Sequence, residues 1–262
     1  MIPTVQAAVF HKFMGTGRTT PALCACEDAD GNTVGDFVVK LRGGTERGTT
    51  GMVSELVGSL LAAYFGIPVP PPSLVHIEAA FADLVGQRHP DKSQRMSGSV
   101  GLNFGSRQLN DVVTWPIDKS VPDAMWATAT SIFAFDALIE NPDRKFSPNP
   151  NLFSQGDQIF VFDHELAFSF IEVLFPSPTP WKLERSNYLA DHVYFKRLKG
   201  KDIDLTLFTA RLDALAETAL PEILAQVPEE WNNGSLSKIN AHLCAMAPKA
   251  AQFAEEVRRR LA

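Results

Sequence analysis

One stretch of the chain, residues 123–140, constrains the fold more than any other. Its spacing predicts a helix with apolar side chains on nearly every face, including Met125, Trp126, Ile132, Phe133, Phe135, Leu138 and Ile139. A helix that is apolar all round belongs in the interior of a domain. The helix should end at Asn141-Pro142, because the residue before a proline avoids helical backbone angles. The sequence therefore predicts a globular fold with a buried helix near its middle.

Short strands dominate the chain before residue 105. The apolar patterning predicts strands at residues 5–10, 23–27, 37–41, 74–77 and 100–104, with the second and third joined as a hairpin. One helix is predicted among them, at residues 54–65, with Ser54 as its N-cap and Gly66 as its stop. The polar run at residues 87–98 is predicted to be a loop.

Helices dominate the later part of the chain. Two short strands are predicted at residues 152–153 and 159–162, and the pattern is helical from residue 205 onward. We therefore predict an α+β fold in two lobes. Residues 1–107 form a lobe of strands with one helix, and residues 108–262 form a mainly helical lobe.

Charge and composition exclude several classes of protein. The 262 residues hold 24 Lys and Arg against 30 Asp and Glu, a net charge of −6, whereas a dedicated nucleic-acid binder usually has a basic domain. No apolar run approaches the roughly 18 residues that a membrane-spanning helix needs. We expect a cytoplasmic protein with no membrane and no direct nucleic-acid partner. Cys24 and Cys26 lack a companion His or Cys cluster, so we interpret them as buried thiols.

Five polar residues stand at positions where packing alone would favour other residue types. Lys40 ends a predicted strand, Glu55 lies on the small-residue face of the following helix, and Asp143 follows the buried helix. Asn151 precedes one short predicted strand and Asp163 ends the next. Phosphoryl transfer from a nucleotide uses this set: a lysine for the phosphates, a glutamate that pairs with it, an aspartate for the acceptor hydroxyl, and oxygen ligands for Mg²⁺.

Each of these residues also has an ordinary structural explanation. Lysines at strand ends often reach for solvent, and glutamates in a first helical turn interact with the helix dipole. Aspartates after helices and strands often cap turns. The order and spacing of the five residues, rather than any one of them, favour the functional interpretation.

The same order resembles that of HipA-like kinases. The resemblance is carried by the strand FVVK at residues 37–40, the helix that contains Glu55, and the segment GIPVP at residues 66–70. It continues through NPDR at residues 141–144 and NPNLF at residues 149–153 to Asp163. The segment from NPDR to NPNLF is also similar to the catalytic loops of lipid and actin-fragmin kinases. The resemblance covers roughly residues 8–170 and implies a bilobal protein-kinase-like fold.

The resemblance implies a role for each residue and two cofactors, ATP and Mg²⁺. Lys40 contacts the nucleotide phosphates and pairs with Glu55, Asp143 is the catalytic aspartate, and Asn151 and Asp163 bind Mg²⁺. The backbone that covers the phosphates is a glycine-rich segment, Gly15, Thr16, Gly17, Arg18, Thr19 and Thr20. The family implies a serine/threonine protein kinase, a protein substrate, a toxin–antitoxin setting and an antitoxin-like partner.

Three departures from the family pattern leave alternatives open. Family members usually have a histidine shortly after the catalytic aspartate, whereas Arg144, Lys145 and Phe146 follow Asp143 here. The spacing from Asp143 to Asn151 is longer than in the family, so Asn149 competes with Asn151 as the metal ligand. Glu165, in place of a glycine, is interpreted as a second metal ligand or a surface residue. The alternative functions are a kinase for a small-molecule or lipid-type alcohol and a nucleotide-binding pseudokinase module.

Overall fold

A computed structural model describes residues 1–15, 19–118 and 120–262. Their contacts fall into two compact units, each assembled from segments that are distant in the chain. The first unit consists of Met1–Leu56, Pro70–Asn110 and Gln226–Asn233. The second unit consists of Val57–Val69, Asp111–Ala225 and Gly234–Ala262.

The first unit contains a closed barrel of short strands. They are β1 (Thr4–Phe13), β2 (Ala22–Glu27), β3 (Thr33–Lys40), β4 (Pro72–Ile77) and β5 (Gly101–Arg107). The strand order is β1-β2-β3-β5-β4, and a parallel pairing of β1 with β4 closes the barrel. All other pairings are antiparallel. Each predicted strand of this part of the chain is confirmed, with its ends displaced by at most four residues, the largest difference being the start of β3 at Thr33 rather than Phe37.

The interior of the barrel is apolar and includes both early cysteines. Val5 and Ala7 alternate with exposed residues along the first half of β1, as expected for a strand with one buried face. Cys24 and Cys26 are fully buried in β2, and burial raises the pKa of each thiol to about 12. The prediction of buried thiols is therefore confirmed.

The helices of this part of the chain correct two predictions. Helix α1 (Thr49–Tyr64) begins a full turn before Ser54, so the prediction of Ser54 as its N-cap is wrong. The reason is packing, because Met52 and Val53 are fully buried and extend the apolar face. The predicted stop is confirmed, since Gly66 adopts a left-handed φ of 76°.

The segment predicted as a loop at residues 87–98 is partly helical. Helix α2 (Ala79–Arg88) extends into it, and helix α3 (Ser93–Ser97) lies inside it. Met96 is fully buried and anchors the short helix to the barrel core. The burial of Met96 therefore stabilises this short helix. A single apolar residue gives no periodic pattern, so the sequence did not predict the helix.

The second unit combines a small sheet with most of the helices. Its antiparallel sheet has the order β6 (Val113–Thr114), β7 (Leu152–Gln155), β8 (Gln158–Val161). Its helices are α4 (Asp123–Leu138), α5 (Phe195–Leu198), α6 (Thr206–Thr218), α7 (Leu220–Leu224), α8 (Ser235–Met246) and α9 (Ala250–Leu261). Helix α4 is buried over most of its length, as its sequence predicts.

The mixed architecture confirms the predicted α+β class. Within residues 1–15, 19–118 and 120–262, no helix has both the length and the apolar character required to cross a membrane.

Candidate active site

Lys40 and Glu55 form a buried ion pair in the first unit. The pair joins Lys40 Nζ to Glu55 Oε1, and the two side chains are only 10% and 1% exposed. Lys40 is the last residue of β3, and Glu55 lies in the second turn of α1. The contact that the kinase resemblance implies between these two residues is therefore present.

The described residues of the glycine-rich segment, Gly15, Thr19 and Thr20, lie between β1 and β2. Met14 N donates to Pro21 O over 2.7 Å and closes the loop, and Thr19 O accepts a 2.7 Å hydrogen bond from Arg95. Gly15 and Thr20 have φ values of 65° and 43°. Thr16, Gly17 and Arg18, predicted to contact phosphates, lie outside the described residues.

The register of the barrel relates this loop to the lysine. Ala22, just after the loop, pairs with Val39 of β3. Lys40 follows Val39, so Lys40 and the loop lie at the same end of the barrel. This is the arrangement that a phosphate-binding hairpin and its lysine require.

In the second unit, the hairpin of β7 and β8 brings Asn151 and Asp163 together. Leu152 pairs with Val161, and Phe162 N donates to Asn151 O over 3.3 Å, so the two residues flank the open end of the hairpin. Both have left-handed backbone angles, with φ of 57° for Asn151 and 59° for Asp163. Such angles are rare outside glycine and concentrate at functional sites.

Asp143 contacts Asn151 directly. Asn151 Nδ2 donates to Asp143 Oδ2 over 3.0 Å, and Asn151 is buried. Asn149 is exposed, and its carbonyl accepts a hydrogen bond from Ser147. Of the two competing asparagines, Asn151 is therefore the one that the fold places against Asp143.

The pKa of Asp143 is raised, in part by the negative charge of Asp163. Burial, followed by the charge of Asp163, raises the pKa of Asp143, against the opposing effects of Asn151, Lys145 and Arg144. The carboxylate of Asp163 is therefore close enough to Asp143 to repel it. Two carboxylates in this relation favour a proton or a cation between them.

Asp163 also lies close to Glu165. Carboxylate oxygens of the two residues lie within 4.8 Å of each other, and Glu165 is 2% exposed. The interpretation of Glu165 as a surface residue is therefore wrong. The intervening His164 is fully buried, and its ring packs edge-on against Phe135 of α4 at 6.1 Å between centroids.

A buried ionic network holds the loop that carries Asp143. Arg144 Nε donates to Asp136 Oδ2 over 2.6 Å, and both side chains are fully buried. Arg144 Nη1 donates to Asn151 O at 2.6 Å and Phe162 O at 3.2 Å. Asn141 connects the same elements, because its Nδ2 donates to Asp136 Oδ1 over 2.9 Å. Arg144 thus links α4 to the residues at the open end of the hairpin.

His192 completes this network as a neutral side chain. Tyr194 N donates to His192 Nδ1 over 3.1 Å, so Nδ1 is unprotonated and Nε2 carries the hydrogen that faces Asp136 Oδ2 at 3.0 Å. Burial lowers the pKa of His192. Burial alone would raise the pKa of Asp136, but the charge of Arg144 and the contacts with His192 lower it to about 2.

The sequence interpretation missed Asp136 and His192. The signal for Asp136 was one acidic residue within the apolar stretch 132–139, since a buried charge requires a partner. His192 lies far from it in sequence and had no comparable signal. The structure describes Lys40 and Glu55 within the first unit and Asp143, Asn151 and Asp163 within the second.

The fold of this chain is similar to that of a kinase of known structure. Among solved structures, the chain is similar to the crystal structure of a Helicobacter pylori proinflammatory kinase, CtkA, with a TM-score of 0.52 and 11% sequence identity. The alignment covers 99% of this chain and 98% of the kinase chain. At this identity the likeness concerns the fold alone, and it places the fold in a class that includes a kinase.

The family is established by the sequence of nearly the whole chain. Residues 8–256 match the family model for HipA-like kinases. The chain therefore belongs to the HipA-like kinase family and is a kinase-type phosphotransferase. A search of curated proteins gives no match to this sequence.

Proposed function

We propose that the protein is an ATP- and Mg²⁺-dependent kinase that transfers the γ-phosphate to a serine or threonine hydroxyl of a protein, with a bilobal protein-kinase-like fold. The observation that carries the proposal is the contact between Asn151 Nδ2 and Asp143 Oδ2, with the charge of Asp163 beside it. Kinase chemistry needs an aspartate for the hydroxyl next to an Asn and Asp pair that binds metal.

The donor atoms of this region fit a divalent cation. Asn151, Asp163 and Glu165 offer amide and carboxylate oxygens, which are the ligands that Mg²⁺ prefers. The raised pKa of Asp143 and the short separation of Asp163 from Glu165 show negative charge concentrated in a partly buried place. We assign these three residues to the metal. When bound, Mg²⁺ neutralises the charge of the nucleotide phosphates.

Asp143 is assigned to the acceptor hydroxyl. Its carboxylate is oriented by the hydrogen bond from Asn151, and its backbone N–H is fixed at 3.1 Å from Asn141 Oδ1. The raised pKa brings its carboxylate closer to the pH range in which a general base accepts a proton. Asp143 therefore orients the hydroxyl and receives its proton as the phosphoryl group is transferred.

Lys40 and the hairpin loop are assigned to the nucleotide. Glu55 holds the Lys40 ammonium group in place, so the lysine presents a fixed positive charge to the phosphates. Gly15 provides backbone that approaches a phosphate without a Cβ atom. Family membership supports ATP as the nucleotide.

Membership of the HipA-like kinase family favours a protein as the acceptor over a small-molecule or lipid-type alcohol.

The experiment incubates the purified chain with radiolabelled ATP, Mg²⁺ and dephosphorylated casein as the acceptor. We expect label in casein or in the chain itself with the wild type, and none with Asp143→Asn. Bound ATP with no transfer to any acceptor would support a pseudokinase instead.

A further inference from the structure

A basic surface lies beside Asp143 in the second unit. Residues 191–202 hold four cationic side chains against two aspartates, in a chain whose net charge is −6. Lys196 and Lys199 are exposed, and so is Lys145, two residues after Asp143. The name basic ledge is used below for Lys145, Phe146, Lys196, Arg197 and Lys199.

Backbone hydrogen bonds fix the basic segment to the loop that carries Asp143. Val193 N donates to Arg144 O over 3.0 Å, and Phe146 N donates to Asp191 O over 2.8 Å. Helix α5, which carries two of the cations, follows directly after these contacts. The basic ledge therefore holds a constant position relative to Asp143.

Two cations of the ledge, Lys196 and Arg197, lie over the ring of Phe146. Phe146 is 44% exposed, and Lys196 Nζ and the Arg197 guanidinium lie 5.6 and 5.8 Å from its ring centroid. These are cation–π distances. Arg197 is also anchored by hydrogen bonds to the carbonyls of Val193 and Ile117. The charges of Lys196 and Arg197 are thus held in place by contacts within the ledge.

We propose that the basic ledge binds an acidic segment of the polypeptide that carries the acceptor hydroxyl, an inference that rests on the proposed function. Its charge is complementary to glutamate and aspartate side chains, and charge complementarity guides partner choice and orientation. The ledge residues lie on two chain segments, 145–146 and 196–199, so a polypeptide with several carboxylates can contact more of its cations than a small alcohol can. Single-stranded nucleic acid is disfavoured, because it stacks on open aromatic faces and the Phe146 ring already contacts two cations.

The test compares two fluorescein-labelled ten-residue peptides, each with one central serine, flanked by glutamates in one and by lysines in the other. Binding to the full chain is measured by fluorescence anisotropy at low and high salt. The test variant is Lys196→Glu with Lys199→Glu. The matched control is Arg88→Glu with Lys92→Glu, the same charge change on and after α2 of the first unit.

We expect the wild type and the control to bind the glutamate peptide at least tenfold more tightly than the lysine peptide, with binding weakened by salt. The Lys196→Glu, Lys199→Glu variant should lose at least fivefold in affinity while its circular dichroism melt stays close to that of the wild type. Lys196→Gln with Lys199→Gln should give an intermediate loss.

Three results would contradict the proposal that the ledge binds an acidic segment. They are equal affinity for the two peptides, an equal loss of affinity in the control variant, and tighter binding of a single-stranded oligonucleotide through the same lysines. The phosphoryl-transfer assay with casein is run in parallel. If the wild type transfers phosphate but shows no preference between the peptides, only the proposed role of the ledge is contradicted. A wild type that binds the glutamate peptide through the ledge but transfers no phosphate removes the proposed function.

Discussion

The guanidinium Nε of Arg144 lies 2.6 Å from Asp136 Oδ2, and both side chains are fully buried. The other end of the same guanidinium donates to the carbonyl oxygens of Asn151 and Phe162. One side chain therefore connects the buried helix α4 with both ends of the hairpin that presents Asn151 and Asp163. The geometry of the candidate site depends on this ion pair.

Removal of Arg144 should destabilise the protein strongly. Arg144→Ala leaves the Asp136 carboxylate buried without its main partner, and such changes cost about 3–5 kcal/mol. The measurement is the free energy of unfolding in urea. The control is Arg259→Ala, which breaks an ion pair with Glu256 in which the arginine is 71% exposed, and should cost at most about 1 kcal/mol. Equal losses in the two variants would contradict the role of Arg144.

The same network predicts a loss of stability in acid. The pKa of Asp136 is about 2 in the folded protein, below its ordinary value of 3.8, so the unfolded chain binds more protons between these values. Its stabilising contribution is present above pH 4 and disappears as the pH falls through about 2, a change of about 2 kcal/mol. His192, whose pKa is lowered by burial, contributes a separate loss that begins below about pH 6.5.

Urea unfolding at a series of pH values from 2 to 7 measures these contributions. Asp136→Asn should flatten the profile between pH 4 and pH 2, because that position then has no proton to gain. Asp91→Asn, which changes an exposed carboxylate paired with Lys92, should keep the wild-type slope. A profile of Asp136→Asn that is parallel to the wild type would show that another group is responsible.

Much of the fold could be predicted from the sequence because its elements carry strong local patterns. The largely apolar α4 and the alternating β1 specify their own structure, and Gly66 marks the end of α1. Helix α3 was not predicted because Met96 is its one buried residue. The start of α1 was not predicted because its first residues, 49–51, are polar or small, and the burial of Met52 is a tertiary contact. Those features depend on tertiary contacts that a local pattern does not contain.

The candidate site was predictable where residue types and order carry the chemistry, as for Lys40 with Glu55 and Asp143 with Asn151. The network behind it was not. Asp136 and His192 are 56 positions apart and meet only in the folded chain. Spacing along one sequence reveals neighbours on a helix or strand, and it does not reveal such distant pairs.

Asn151 and Asn149 should differ in their effect on metal dependence. Asn151 is buried and contacts Asp143, whereas Asn149 is exposed. Asn151→Ala should therefore lower phosphoryl transfer about 10²-fold or more and raise the Mg²⁺ concentration needed for half-maximal rate. Asn149→Ala should leave both unchanged. Equal, mild effects of the two variants would count against Asn151 as a ligand.

The ion pair of Lys40 with Glu55 should act as a unit. Lys40→Met should lower phosphoryl transfer about 10²–10³-fold by removing a positive charge assigned to the phosphates. Glu55→Gln should have a similar effect because the lysine loses its fixed position. The double variant should be no worse than Lys40→Met, since residues in one network are not additive. Fully additive losses would show that the two side chains act independently.

Gly58 should be intolerant of alanine because α1 packs closely on the segment that follows Asp163. A Cβ atom at position 58 would lie 2.7 Å from the Cβ of His164, which is fully buried. Alanine would otherwise favour the helix by about 1 kcal/mol, but overpacking costs about 1–3 kcal/mol, so Gly58→Ala should reduce stability. In a His164→Gly background the same change should be neutral or stabilising, because the opposing atoms are gone. Urea unfolding of the four proteins measures this coupling, and an equal loss in both backgrounds would place the strain elsewhere.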